Sequence, residues 1–390
     1  MTHPLIEALR EQASQFIALR RDLHRHPELG LAETRTSDLI AGQLTRYGYH
    51  VTRGIAQTGL VATLKRGDGH KRLGLRADLD ALPIHEATGM PWQSVNDGVM
   101  HACGHDGHTA MLMAAAHYLA KEGRFSGTLH LIFQPAEEHP GGARIMIEEG
   151  LFDRFPCDAV FAMHNMPGIT QGHLVFREGP TMASSDDVTI ILTGRGGHGA
   201  MPHRASDPIV AASSIVMALQ TIVSRNVDPQ ETAVITVGAL NAGKANNVIP
   251  DSAQLELSVR ALDRGVRDLL ETRICALVSA QAGSFGVDAE VRYKRDYPVL
   301  VNSADETAFA RNVGIELLGT EHITPQGPAL TGSEDFAVML EHRPGSYLLI
   351  GNGAGDGGCM VHNPGYDFND DNVAIGGAYW ALLAERYLNN

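Results

Sequence analysis

Apolar residues recur at helical spacing near the start of the chain: Leu5, Leu9, Phe16, Leu19 and Leu23, with Pro4 close to the predicted helix start. Pro27 and Gly30 end that run. The pattern then changes to short, dense apolar stretches. Gly59 to Lys65, Leu73 to Pro83, Thr128 to Phe133 and Asp158 to Asn165 read as strands. Helical runs lie between them: Thr109 to Leu119, rich in Ala and Met, and Gly141 to Gly150. Strand–helix alternation of this kind predicts an open α/β sheet. The stretch from Leu73 starts as a buried strand and ends in Asp78, Asp80 and Pro83. The Thr128 strand runs into Gln134-Pro135-Ala136-Glu137-Glu138, and the Asp158 strand reaches His164. Open sheets build their sites at the carboxyl ends of strands.

From about Ser185 the texture differs. Val188 to Leu192 reads as a strand, Pro208 to Val223 as an amphipathic helix, Ala233 to Leu240 and Ala253 to Leu262 as strands, Val266 to Phe285 as a helix and Ala289 to Tyr293 as a strand. The order is β-α-β-β-α-β, the ferredoxin-like pattern. The alternation of the first part resumes after Tyr297-Pro298, so residues 185–297 are predicted to be an inserted domain. Residues 1–184 and 298–390 then form the other, α/β domain. In its last part Ser333 is a plausible N-cap before Phe336, Ser346 to Gly351 is a strand, and a helix starts near Asn369. The glycine-rich run Gly351 to Gly358 does not open a helix, which argues against phosphate binding.

The chain has 390 residues, 44% hydrophobic and 19% charged, with a formal net charge of −14. These values describe a globular protein of two domains. No basic stretch is present, which speaks against nucleic acid and anionic membranes as partners. No run of eighteen apolar residues occurs, so no membrane span is expected. The first residues show no secretory signal. Four cysteines (Cys103, Cys157, Cys275, Cys359) are widely spread and form no CxxC pair, which fits a reducing cytoplasm.

The chemistry concentrates in Met100-His101-Ala102-Cys103-Gly104-His105-Asp106-Gly107-His108. If extended, this stretch would turn Cys103 and His105 to one face, where thiolate and imidazole could grip a divalent metal. With it belong the groups at strand ends and loops: Asp78, Glu137, Glu138, His164 and His362. Five N, O and S ligands suffice for two ions sharing one ligand, and adjacent Glu137 and Glu138 offer one base and one ligand. Asp78 and Asp80 also read as turn formers, and His24 and His26 as structural or surface residues. A redox switch on Cys103 would want a resolving thiol, and none is near in sequence.

Several motifs together resemble one family: Arg76-Ala77-Asp78-Leu79-Asp80-Ala81-Leu82-Pro83, His101 to His108, Gln134 to Glu138, Gly196-Gly197-His198 and Gly332 to Phe336. They resemble the M20 metallopeptidase family, in particular its amidohydrolase branch of hippurate hydrolases, N-acyl-amino-acid amidohydrolases and plant auxin-conjugate hydrolases. The resemblance covers nearly the whole chain. It implies Cys103, His105, Glu138, His164 and His362 as ligands of two divalent ions (Zn, Mn, Ni or Co), Glu137 as general base and Asp78 as the acid that orients a ligand. Arg76 stands where other branches have His, and Cys103 where they have a bridging Asp. The inserted domain resembles the family's lid and dimerisation domain, so a homodimer is implied. His198 matches a residue that stabilises the oxyanion in a partner subunit's site, and Asn247 and Arg260 match residues that hold the substrate's carboxylate. The implied reaction is hydrolysis of an N-acyl amino acid to a carboxylic acid and a free amino acid. A dipeptidase, a carboxypeptidase or an N-acetyl-amino-acid deacetylase would use the same site. A non-catalytic metal-dependent binding protein would lack the base. His139-Pro140 departs from the glycines that relatives often carry after the Glu pair, and His203 and Arg204 have no assigned role.

Overall fold

A computed structural model gives the fold and describes residues 3–354 and 359–389. The chain divides into two compact units. The first comprises Met1–Gly179, Val301–Pro328 and Asp335–Asn390, and the second Pro180–Leu300 with Ala329–Glu334. The second unit thus begins a few residues before the expected 185–297 and takes in a short later segment that the sequence pattern assigns to the first.

In the first unit, eight strands run side by side in the order 50–55, 59–66, 127–134, 72–78, 159–167, 345–353, 174–175, 323–324. Its middle is parallel. Strand Arg72–Asp78 lies parallel to both Gly127–Gln134 and Ala159–Pro167, and Gly345–Gly353 continues the parallel set beside Ala159–Pro167. These strands are buried along nearly their whole length, which is why they read as unbroken apolar runs rather than as alternation. Helices Pro4–Arg25, His105–Lys121 and Asn372–Asn389 add Phe16, Leu112 and Trp380 to the same core. Helix Thr34–Tyr47 and strand His50–Ile55 were not predicted. The run Gly355 to Gly358, part of the glycine-rich loop, lies outside the described residues.

Two basic residues on the buried face of the first helix close on Asp106, in the first turn of helix His105–Lys121. Arg20 Nε and His24 Nδ1 each lie 2.9 Å from Asp106 Oδ2, and His24 Nε2 is 3.2 Å from Glu86 Oε1. His24 is therefore structural, while His26 is only partly buried and bonds to the Asp22 carbonyl. Burial opposes charge on His24, but Asp106 and Glu86 outweigh it and raise its pKa from 6.5 to about 9. A raised folded-state value stabilises fully below the unfolded value and is lost as pH climbs through the folded one. Denaturant melts are therefore expected to show stability falling between pH 6.5 and 9, by up to about 1.4 kcal/mol per pH unit. His24→Gln should flatten that slope, and an unchanged slope would refute the assignment.

The second unit is built on a four-stranded antiparallel sheet, ordered 233–242, 252–261, 186–193, 288–295. Val188, Ile190 and Leu192 alternate inward from one strand, Leu255, Leu257 and Val259 from another. Onto them pack Ala211, Ile215, Leu219 and Ile222 of helix Pro208–Asn226, and Leu270, Ile274 and Val278 of helix Arg264–Ser284. Both helices are capped by the preceding aspartate: Asp207 accepts from the Ile209 amide and Asp263 from the Val266 amide. The expected β-α-β-β-α-β order is present. Helix Pro208–Asn226 is long and apolar enough to cross a membrane, yet it seats this face in the unit's own core.

Candidate active site

The carboxyl ends of the parallel strands deliver the chemistry. Strand Arg72–Asp78 presents Asp78 and, two residues on, Asp80. Strand Gly127–Gln134 leads to Glu137 and Glu138. His164 lies within strand Ala159–Pro167, opposite Leu349.

The cysteine–histidine segment is not extended. Gly104 has φ 86°, and His105 opens helix His105–Lys121, four residues before the expected start at Thr109. A Cβ at Gly104 would lie 2.3 Å from Asn165 Nδ2 and 2.4 Å from the Tyr366 hydroxyl, so both the backbone and the space require glycine. The turn still brings the two side chains together: ligand atoms of Cys103, His105 and His164 all lie within 4.8 Å of one another. A second group at the same spacing joins Cys103 to Glu138 and His362, and a third joins His105 to Glu137 and Glu138. Cys103 is common to the first two groups.

The histidine tautomers are set by their outer nitrogens. His164 Nδ1 donates to the Asn165 carbonyl at 2.6 Å, which leaves the Nε2 lone pair facing Cys103 Sγ at 3.3 Å. Burial, with His108 nearby, lowers the His164 pKa well below the usual value and keeps the ring neutral. His105 Nδ1 donates to Asp80 Oδ1 at 3.1 Å. Its Nε2 makes no hydrogen bond and faces Asp78 Oδ2 at 3.7 Å and Glu137 Oε2 at 4.0 Å. A buried imidazole nitrogen aimed at carboxylates from which it is too distant for a hydrogen bond is the arrangement a cation completes. His108 is different. Its Nδ1 donates to Asp78 at 2.7 Å and its Nε2 accepts from the Asn165 amide at 2.9 Å, so neither nitrogen is left for a metal. It is held inside the cluster by Asp78 and Asn165. His101 is buried, which lowers its pKa to about 4.

Asp78 thus orients His108, and Asp80 holds His105. Burial would raise the Asp78 pKa, but His105, His108 and Arg76 overturn this and hold it well below the carboxylate range. Arg76, buried where other branches carry a histidine, donates to Asp78 Oδ2 at 2.7 Å and to Gln134 at 2.8 Å, with Asp335 at 3.1 Å. Its charge is met by Asp78 at the strand end and by Asp335 from a later loop. Asp335, rather than Ser333, precedes the short helix Phe336–Leu340 as its N-cap residue.

Two backbone turns aim the remaining groups. Ala136 has φ 53°, uncommon for a residue with a side chain. Its amide is held by Glu33 Oε1 at 2.9 Å, while Glu33 Oε2 accepts from Thr58. That turn redirects the chain to Glu137 and Glu138. His362 has φ 65°, its amide bonded to the Ala102 carbonyl at 2.7 Å and its Nε2 3.0 Å from Glu138 Oε1. Strain of this kind persists where the surroundings overdetermine it. His139 is exposed, as are His203 and Arg204.

The second unit holds the other expected site residues. Strand Gly197–His198 pairs with Val248–Ile249, and the Gly199 amide donates to the Asn247 carbonyl at 2.8 Å, so His198 and Asn247 are neighbours. Arg260 lies on strand Ser252–Ala261 and donates to the Ser333 hydroxyl at 3.0 Å. Glu33 was not singled out by the sequence reading, and Asp80, read at the strand end with a turn-forming alternative, was given no site role. For Asp80 the signal was present, an Asp-x-Asp spacing at a strand end.

A buried Cys/His/carboxylate cluster at the parallel edge of an α/β sheet defines a metal-dependent hydrolase. Comparison with known proteins agrees. Peptidase family M20/M25/M40 matches residues 74–386. A hippurate hydrolase of Campylobacter jejuni is 44% identical over 384 residues, 98% of this chain and 99% of that one. An N-acetyl-L-cysteine deacetylase of Bacillus subtilis is 39% identical, covering 96% and 89%. Among solved structures, a dinuclear metal-binding peptidase of the M20 family from Bacillus subtilis superposes with a TM-score of 0.83, at 32% identity and 97% and 99% coverage. The chain belongs to peptidase family M20/M25/M40.

Proposed function

We propose that this amidohydrolase cleaves N-acyl amino acids at the amide bond, releasing a carboxylic acid and a free amino acid. The observation that carries the reading is the pair of three-ligand groups sharing Cys103, with the Glu137 carboxylate beside His105. Cys103, His105 and His164 would hold one divalent cation, and Cys103, Glu138 and His362 a second, of the Zn, Mn, Ni or Co type. When bound, such ions supply Lewis-acid polarisation of a carbonyl and acidify water. Glu137 takes the proton of the attacking water and returns it to the departing amine. A carboxylate on the substrate's amino-acid side suits the planar Arg260 guanidinium, with Asn247 as its second contact. His198 donates to the developing oxyanion.

The acyl preference follows the similarity to a hippurate hydrolase, hippurate being N-benzoylglycine. The test is a panel of N-benzoyl-, N-acetyl- and indoleacetyl-amino acids and of dipeptides, each with several divalent metals. The N-benzoyl substrates should show the highest kcat/KM. Faster cleavage of dipeptides would make the protein a dipeptidase instead, and no turnover of any substrate would leave a binding protein.

We also propose a homodimer formed through the second unit. Its apolar residues Ile209, Val210 and Met217 are exposed on one helix, Met217 to 72%. Strand Ala233–Ala242 forms an edge of the sheet with Leu240 exposed. Sedimentation should give twice the chain mass, and Met217→Asp should shift it towards the monomer. A wild-type monomer would refute the proposal. All four cysteines are unpaired, which supports a reducing, cytoplasmic setting.

A further inference from the structure

We propose that Asp80 is the positioning residue that fixes the separation of the two metal-ligand groups, since its single carboxylate holds one ligand from each. Oδ1 accepts the Nδ1–H of His105, which belongs to the group with Cys103 and His164, at 3.1 Å. Oδ2 accepts the backbone amide of Glu138, which belongs to the group with Cys103 and His362, at 2.9 Å. The two oxygens belong to one rigid, planar carboxylate, so the imidazole and the Glu138 backbone cannot shift apart without breaking one of these hydrogen bonds.

The carboxylate is itself anchored. Asp80 is 1% exposed. On its C-terminal side the Ala81 amide donates to the Glu28 carbonyl at 2.8 Å. Leu82 and Met100 exchange two backbone hydrogen bonds, at 2.9 and 3.0 Å, which lock the segment carrying Asp80 to the one that leads into Cys103. On its N-terminal side the Thr109 hydroxyl, one turn beyond His105, donates to the Asp78 carbonyl at 3.0 Å. Ligand orientation through an outer carboxylate is a general device in metal sites. The particular feature here is that one acid serves both ligand groups, while Cys103 links them from within. Asp78 lacks this geometry because its carboxylate is engaged by Arg76 and His108.

The proposal rests on the two-ion reading above, and the experiment separates the two. Wild-type protein and the Asp80→Asn and Asp80→Glu variants are stripped with chelator and titrated with Mn(II). Stoichiometry and affinity are followed by calorimetry, and the interaction between ions by electron paramagnetic resonance. Folding is checked by circular dichroism. Asparagine retains one acceptor oxygen but presents a donor where the second must accept, so one hold is lost. Folded Asp80→Asn is expected to bind Mn(II) about 10- to 100-fold more weakly and to lose the wild-type ion–ion coupling, with kcat reduced and KM little changed. Asp80→Glu keeps the charge and lengthens the arm. It is expected to bind two ions with altered coupling, and it stands as the test if the asparagine variant does not fold. Wild-type affinity and coupling in the folded variants would overturn the proposal. Wild-type protein that binds fewer than two ions would overturn the two-ion reading, and the proposal with it.

Discussion

Glutamine at position 137 is expected to lower kcat by about 10³-fold while both divalent ions stay bound, because the side chain keeps its size and loses only its proton affinity. Glu137 is placed for such an effect. It is 6% exposed and lies at the end of a turn fixed by left-handed Ala136, with one oxygen 4.0 Å from His105 Nε2. The adjacent Glu138 is turned to His362 instead, at 3.0 Å. One backbone turn thereby aims two neighbouring glutamates at different partners. Steady-state rates on an N-acyl amino acid, with metal content measured in the same samples, check the division. Retention of wild-type kcat in Glu137→Gln would show that the base is another group. Glu138→Gln should instead weaken metal binding.

The other large effect is expected at Cys103. Replacing it with alanine removes the atom common to both ligand groups, so affinity for both ions should fall together by at least about 100-fold, beyond what loss of an outer partner costs. Competition with a chelator of known affinity measures it. Loss of only one ion would mean that the thiolate serves a single site. The electrostatics argue against a reactive thiol. Burial, followed by the nearby Glu138, Glu137 and Asp78 charges, raises the Cys103 pKa well above the ordinary thiol range. A thiol so disposed is a poor nucleophile without a cation, and a bound cation deprotonates it. The redox-switch reading loses its basis on the same ground.

The sequence made the strand ends legible because a buried parallel strand is a continuous apolar run and a polar group at its end breaks it abruptly. Asp78, Glu137, Glu138 and His164 were found in this way, and the order of elements in the second unit was read from alternation. Of the features that escaped, which also include helix Ala304–Leu318, three have a plain physical reason. Helix Thr34–Tyr47 has no side-chain cap and starts with Thr, Arg, Thr and Ser, so nothing local announces it. Its preceding residue, Glu33, spends its carboxylate on Ala136 and Thr58 rather than on the helix. The start of helix His105–Lys121 was placed a turn too late because its first residues are polar yet buried, held by the site and not by an apolar stripe. The left-handed turn at His362 carries no sequence mark of its own, since glycine or asparagine would be the ordinary choice there.

The proposed ligands lie unequally about the second unit along the sequence. Cys103, His105, Glu138 and His164 all precede Pro180, whereas His362 follows Val301, as does strand Gly345–Gly353, which docks beside the strand carrying His164. Chains emerge from the ribosome amino terminus first and domains fold as they appear. The residues of the Cys103–His105–His164 group are therefore all synthesised before the second unit, whereas the Cys103–Glu138–His362 group, and the strand beside His164, wait for the segment that follows it.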